Sequence, residues 1–164
     1  MVIPSVSFLE FKSKDVSFNA NITDILTVFP RLDYLFISCF HSTKWITEMM
    51  QVEQHVLKLL KIMYDGLTEF DDFNFNAFLK FIKAQRPGFH VMLTEQTCIS
   101  NHFKMSKKYE LFTSKLRKCL DQNLVQDLEL YKRKYRTIVH IVKLNFNFED
   151  FYWHVPVENE CLPV

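Results

Sequence analysis

Glycine is almost missing from this chain of 164 residues, which carries it only at Gly66 and Gly88. Phosphate-cradling loops, dinucleotide-binding turns and nucleophile elbows all need glycine where backbone approaches a ligand or takes positive φ. Two isolated glycines therefore exclude all three. Alanine is nearly as scarce, at Ala20, Ala77 and Ala84. No apolar run approaches the ~18 residues of a membrane span, and Met1 to Phe8 lacks the charged-then-apolar plan of a secretory signal. A soluble intracellular chain, nuclear or cytoplasmic, is the expectation. The cysteines are sparse and unpatterned: Cys39, Cys98, Cys119 and Cys161 follow no C-x-x-C spacing. They read as reduced small hydrophobes, with two disulfides as the alternative if the protein is secreted.

What the chain has in quantity is aromatic rings. Hydrophobic residues make up 48% of it, 17 of them Phe, which points to an ordered globular protein with a ring-rich core. The length suits a single domain covering 1–164.

Helical periodicity is broadest over Ser42 to Tyr64, where Trp45, Ile46, Met49, Val52, Val56, Leu60 and Met63 share about half a circumference, with Ser42 or Thr43 as N-cap and Gly66 as C-terminal cap. That spacing predicts a central helix. Glu53 falls inside its apolar arc, which requires an ion-pair partner or, in a catalytic reading, a raised pKa.

Before it, Ser5 to Lys12 alternates as a strand that slips register near Leu9, with Asp15 to Ala20 as a hairpin partner. Asn21 caps a helix over Ile22 to Phe29 that Pro30 stops. Arg31 to His41 is a buried strand or helical turn, which periodicity does not separate. After it, the sequence predicts a helix over Phe73 to Gln85 led by Asp71 and Asp72, a turn at 86–88 and a strand over Phe89 to Thr94. Helices follow over Ser106 to Asp121 and Leu124 to Tyr135. A closing hairpin joins Ile138 to Phe148 with Phe151 to Val157 through Glu149 and Asp150. Read this way, helices and strands fall in blocks. The implied class is α+β: four or five helices on a small, mostly antiparallel sheet with a C-terminal β-hairpin.

Charge is segregated. Residues 104–143 hold eleven Lys or Arg against four acids, in a chain whose formal net charge is only +1. Lys104, Lys107, Lys108, Lys115 and Lys118 line one face of the 106–121 helix, and Lys132, Arg133, Lys134 and Arg136 follow. Such a face serves as a solvated surface, docks an acidic partner or neutralises phosphates. Beside it, Phe146, Phe148, Phe151, Tyr152 and Trp153 carry more ring surface than one hairpin buries alone. They pack on the core or anchor a partner, as Trp and Tyr do at binding hot spots.

Chemistry is harder to find. The six histidines form no H-E-x-x-H, and Cys98 with His102 is a lone pair without a second, so no metal or cofactor is expected. Asp71 and Asp72, like Glu149 and Asp150, sit at turns or caps, where carboxylates serve structure. The sequence therefore points to a non-catalytic protein-interaction module. It would act as a subunit or adaptor of an intracellular complex and meet an acidic or apolar surface of another protein through the basic face, the aromatic hairpin (Phe148, Phe151, Tyr152, Trp153) or both. Nucleic-acid binding by the basic face is the first alternative, and a hydrolase or nuclease with an unrecognised site the second.

Overall fold

A computed structural model describes residues 6–12, 21–38, 44–52, 55–64, 74–96, 107–122, 137–144 and 149–155. Among them the chain runs β1 (Phe8–Lys12), α1 (Ile22–Val28), β2 (Tyr34–Ser38), α2 (Trp45–Gln51), β3 (Leu59–Tyr64), α3 (Phe75–Lys83), β4 (His90–Gln96), α4 (Lys107–Cys119), β5 (Asp121–Gln122), β6 (Ile138–Leu144) and β7 (Glu149–His154).

All the strands join one sheet in the order β1-β2-β3-β4-β6-β7-β5. The pairings from β1 through to β6 are parallel, and only β7 runs against its neighbours β6 and β5. The α+β expectation holds at the level of four described helices on a mixed sheet ending in a hairpin. The mostly antiparallel sheet does not: parallel pairing dominates, and up to α4 strands and helices alternate strictly.

The error traces to one stretch. The central helix expected over Ser42 to Tyr64 ends at Gln51, where Val52 turns extended (φ −87°, ψ 98°), and Leu59 to Tyr64 is the strand β3. Two short apolar elements in succession imitate one long helical stripe, and a central strand flanked on both sides is apolar in both registers, so alternation is blurred. Ser42, Thr43, Glu53 and Gly66 lie outside the described residues. The observed cap residue of α2, Lys44, makes no side-chain cap bond.

Short local signals fared better. The Asn21 side chain accepts from the Asp24 N–H at 3.2 Å and opens α1. Asn74, not the aspartates at 71 and 72, which lie outside the described residues, caps α3 by accepting from the Ala77 N–H at 3.0 Å. In β1 the pairing with β2 is continuous from Phe8 to Lys12, without the expected slip, and Leu9 rather than Phe8 shares the core-facing side with Phe11. Gly88, at φ 88°, makes the turn into β4. Glu149 and Asp150 already belong to β7, so the closing turn is not at that pair, and residues 145–148 lie outside the described residues. The hairpin partner expected over Asp15 to Ala20 and the helix over Leu124 to Tyr135 also lie outside the described residues.

Each of α1, α2 and α3 links two neighbouring parallel strands, always stepping the same way across the sheet. Right-handed crossovers that keep one direction leave all their helices on one face. Accordingly α1 packs on α2 and α2 on α3, while Phe112 of α4 meets Phe75 and Phe78 of α3 at 5.8 and 5.7 Å between ring centres. Between helices and sheet lies the core: Leu35 and Ile37 of β2, Leu60, Ile62 and Tyr64 of β3, Val91 and Leu93 of β4, Val139 and Ile141 of β6, and Trp153 of β7. Trp45 sits edge-on to Phe78 and Phe81 and donates its indole N–H to the Tyr64 hydroxyl at 2.8 Å, tying α2, α3 and β3 together.

Candidate interaction surface

The alternation that sends those residues toward the helices sends their neighbours to the other side. The strand registers align them into rows. One row reads Phe8, Tyr34, Leu59, His90, Ile138, His154; the next reads Glu10, Phe36, Lys61, Met92, His140, Tyr152; a third begins Lys12, Ser38, Met63, Thr94. None of the four described helices covers this face.

Its exposure is graded. On β4, β6 and β7 the side chains of Thr94, Ile138, His140 and His154 are buried. On β1 and β2, Phe8 remains 49% exposed and Tyr34 38%. Between them the chemistry is aromatic and cationic. Phe8 meets Phe36 edge-on at 5.0 Å, the Lys61 ammonium stands 5.4 Å from the centre of the Phe36 ring, and Lys12 pairs with Glu10 at 3.1 Å. A cation over a ring is worth about 0.5–1 kcal/mol at an exposed site, a modest bias toward this placement of Lys61. Further across, His140 stacks between Tyr152 (4.0 Å) and His90 (5.5 Å).

Of the residues singled out from sequence, those that are described fall on α4 and β7. Lys107, Lys108, Lys115 and Lys118 all lie on α4, whose buried side includes Phe112 and Leu116, with Leu120 buried just past its end. Lys115 and Lys118 are exposed, and the Lys115 ammonium stands 5.5 Å from the Phe75 ring centre. Lys104, Lys132, Arg133, Lys134, Arg136, Phe146 and Phe148 lie outside the described residues. Phe151 belongs to β7. Trp153 is fully enclosed in the core, whereas Tyr152 is half-buried on the helix-free face. Tyr152 and the α4 lysines therefore occupy opposite sides of the sheet. Sequence reasoning missed Phe8, Phe36 and Lys61 as neighbours. Their only signal was alternation within strands, and in Leu59 to Tyr64 that signal was masked by helical spacing.

A second feature lies between the C-terminal ends of α2 and α3, an open cavity of about 670 Å³ lined by Met49, Met50, Val56, His55, Gln85 and Arg86 among others. His55 Nε2 donates to the Gln85 side-chain oxygen at 2.9 Å, the tautomer that leaves Nδ1 a buried acceptor without a partner in the structure. Burial holds the His55 pKa below its usual value; the Gln85 bond opposes this and the nearby Arg86 charge adds to it. Arg86 itself donates to the Val56 and Leu57 carbonyls and pins the loop that enters β3. Among the described lining residues none brings a hydroxyl, thiol or carboxylate to His55. Among the described residues no group of three His, Cys, Asp or Glu is placed to hold a metal ion, and no helix is long and apolar enough to cross a membrane.

Comparison with protein-family models, curated proteins and solved structures finds no match for this chain.

Proposed function

We propose that this chain is a non-catalytic protein-interaction module, a subunit or adaptor of an intracellular complex, and that its partner covers the β1–β2 corner of the sheet face opposite the described helices. The observation that carries the reading is the exposed corner of that face, where Phe8 and Tyr34 lie in register and Phe36 sits beside Lys61, with none of the four described helices over them. Exposed aromatic surface on a rigid sheet supplies contact area at low cost in side-chain entropy, and Tyr is enriched at binding hot spots. With Lys12 and Lys61 against Glu10 alone, the partner surface that complements this corner is apolar with acidic groups.

The test is capture from a native lysate, identification by mass spectrometry and reconstitution with the purified partner. A Tyr34→Ser/Lys61→Glu variant that keeps its circular dichroism should lose the reconstituted complex. Undiminished binding by that folded variant refutes the reading. If reversal of Lys115 and Lys118 abolishes binding instead, the partner sits on α4. Retention on a phosphate resin that weakens by several charges' worth of salt slope identifies nucleic acid as the ligand of that helix.

A further inference from the structure

Among the described residues the two edges of the sheet are unequal. At one end β5 contributes two residues, too short to template a neighbour, whereas at the other β1 offers five. In a parallel ladder the N–H and C=O of a given residue point to the same side, and successive residues alternate. The Tyr34 N–H donates to the Ser7 carbonyl at 2.9 Å, which fixes the phase: Ser7, Leu9 and Phe11 turn their backbone groups to β2, and Phe8, Glu10 and Lys12 turn theirs outward. All three outward residues are exposed.

We infer that β1 receives an extended segment of the partner protein as an added antiparallel strand. This rests on the interaction reading and names what is inserted. Strand addition at an exposed edge draws affinity from main-chain hydrogen bonds and specificity from alternate side chains. The side chains here specify the segment. Opposite Lys12 it presents an acid, opposite Glu10 a base and opposite Phe8 an aromatic residue, all on the helix-free face. Opposite Leu9 and Phe11 it presents apolar residues, because these two are half-buried at the rim of the core and gain from being covered. From N to C terminus the pattern is acid, apolar, base, apolar, aromatic.

A second copy of this chain fits poorly. Full antiparallel overlap of two β1 strands pairs Phe8 with Lys12 and sets Glu10 directly opposite Glu10, a repulsive pair. The register that pairs Glu10 with Lys12 leaves only three residues of each β1 overlapping. Charged edge residues of this kind guard against self-association. The same charges admit a partner of complementary sequence.

The probe is a synthetic peptide with the core Asp-Val-Lys-Val-Tyr, extended by threonines and capped at both ends. It should bind saturably by fluorescence anisotropy and slow amide exchange at Phe8, Glu10 and Lys12, while Leu9 and Phe11, already bonded to β2, change little. N-methylation of the peptide Lys, which faces Glu10 in a doubly bonded pair, should abolish binding; N-methylation of either Val should not. Exchanging the peptide's Asp and Lys should weaken binding about tenfold, since two attractive cross-strand pairs become repulsive. The Glu10→Lys/Lys12→Glu variant should reverse that preference. Absence of slowed exchange at millimolar peptide, or indifference to the N-methylation site, overturns the proposal even if that variant fails to fold. If the partner whose binding depends on Tyr34 and Lys61 binds the folded edge variant equally well, the face reading stands and strand addition falls. If binding ignores both surfaces, both fall.

Discussion

Tyr64→Phe removes a single oxygen atom from the middle of the core, and the structure gives that atom a specific job. It accepts the Trp45 indole N–H at 2.8 Å between residues that are 1% and 0% exposed. Without it the indole N–H stays buried in a pocket walled by Phe78 and Phe81, neither of which offers a hydrogen-bond acceptor. A hydrogen bond contributes about 1 kcal/mol net, and an orphaned buried donor costs about 1–3 kcal/mol, so the substitution should destabilise the fold by roughly 1–3 kcal/mol. Urea denaturation should show a lower midpoint at an unchanged m value, because the surface exposed on unfolding hardly differs. Trp45→Phe removes the donor and part of the indole packing. The double substitution removes both groups of this hydrogen bond, so its cost should fall short of the sum of the single costs by about 1 kcal/mol or more. Costs that add within about 0.5 kcal/mol would refute the argument, since residues that do not interact behave that way.

Three further outcomes follow from the same coordinates. Asn74→Ala removes the side-chain acceptor for the Ala77 N–H at the start of α3 and should cost about 0.5–2 kcal/mol by thermal or urea unfolding, with Asn74→Asp retaining most of it. Glu48 of α2 caps a different helix, its carboxylate accepting the Ile22 N–H of α1 at 2.9 Å, so Glu48→Ala should destabilise by about 1–3 kcal/mol and increase amide exchange in α1 before α3. Because His55 has a lowered pKa when folded, the unfolded chain takes up its proton first as pH falls below about 6.5. Stability should therefore be fully present above that pH and decline below it, and His55→Gln should flatten the decline in urea midpoints measured from pH 7.5 to 5; an unchanged slope would count against it.

Legibility varied with the range of the physical cause. Asn21, placed three residues ahead of Asp24, announces a cap by itself, and Phe112 and Leu116 mark the buried side of α4 because helical spacing is a property of adjacent residues. The hairpin of β6 and β7 was likewise visible in its alternation. Its one buried Trp was not assignable, because Trp153 and Tyr152 differ only in which side of the pleat they take, and pairing decides that.

The sequence by itself determined that helices would pack on a sheet around aromatic rings, where helix α1 begins and that the last two strands form a hairpin. Only the tertiary structure decided that Leu59 to Tyr64 is strand rather than helix, since its hydrogen bonds run to Tyr34 to Ser38 on one side and to His90 to Glu95 on the other, residues far away in the chain. Stacking the described helices on one face, leaving Phe8 and Tyr34 exposed on the other and β1 at the border of the described sheet, is a consequence of strand order. Strand order is fixed by which distant segments pair, and that information is spread over the whole core rather than written in any local stretch.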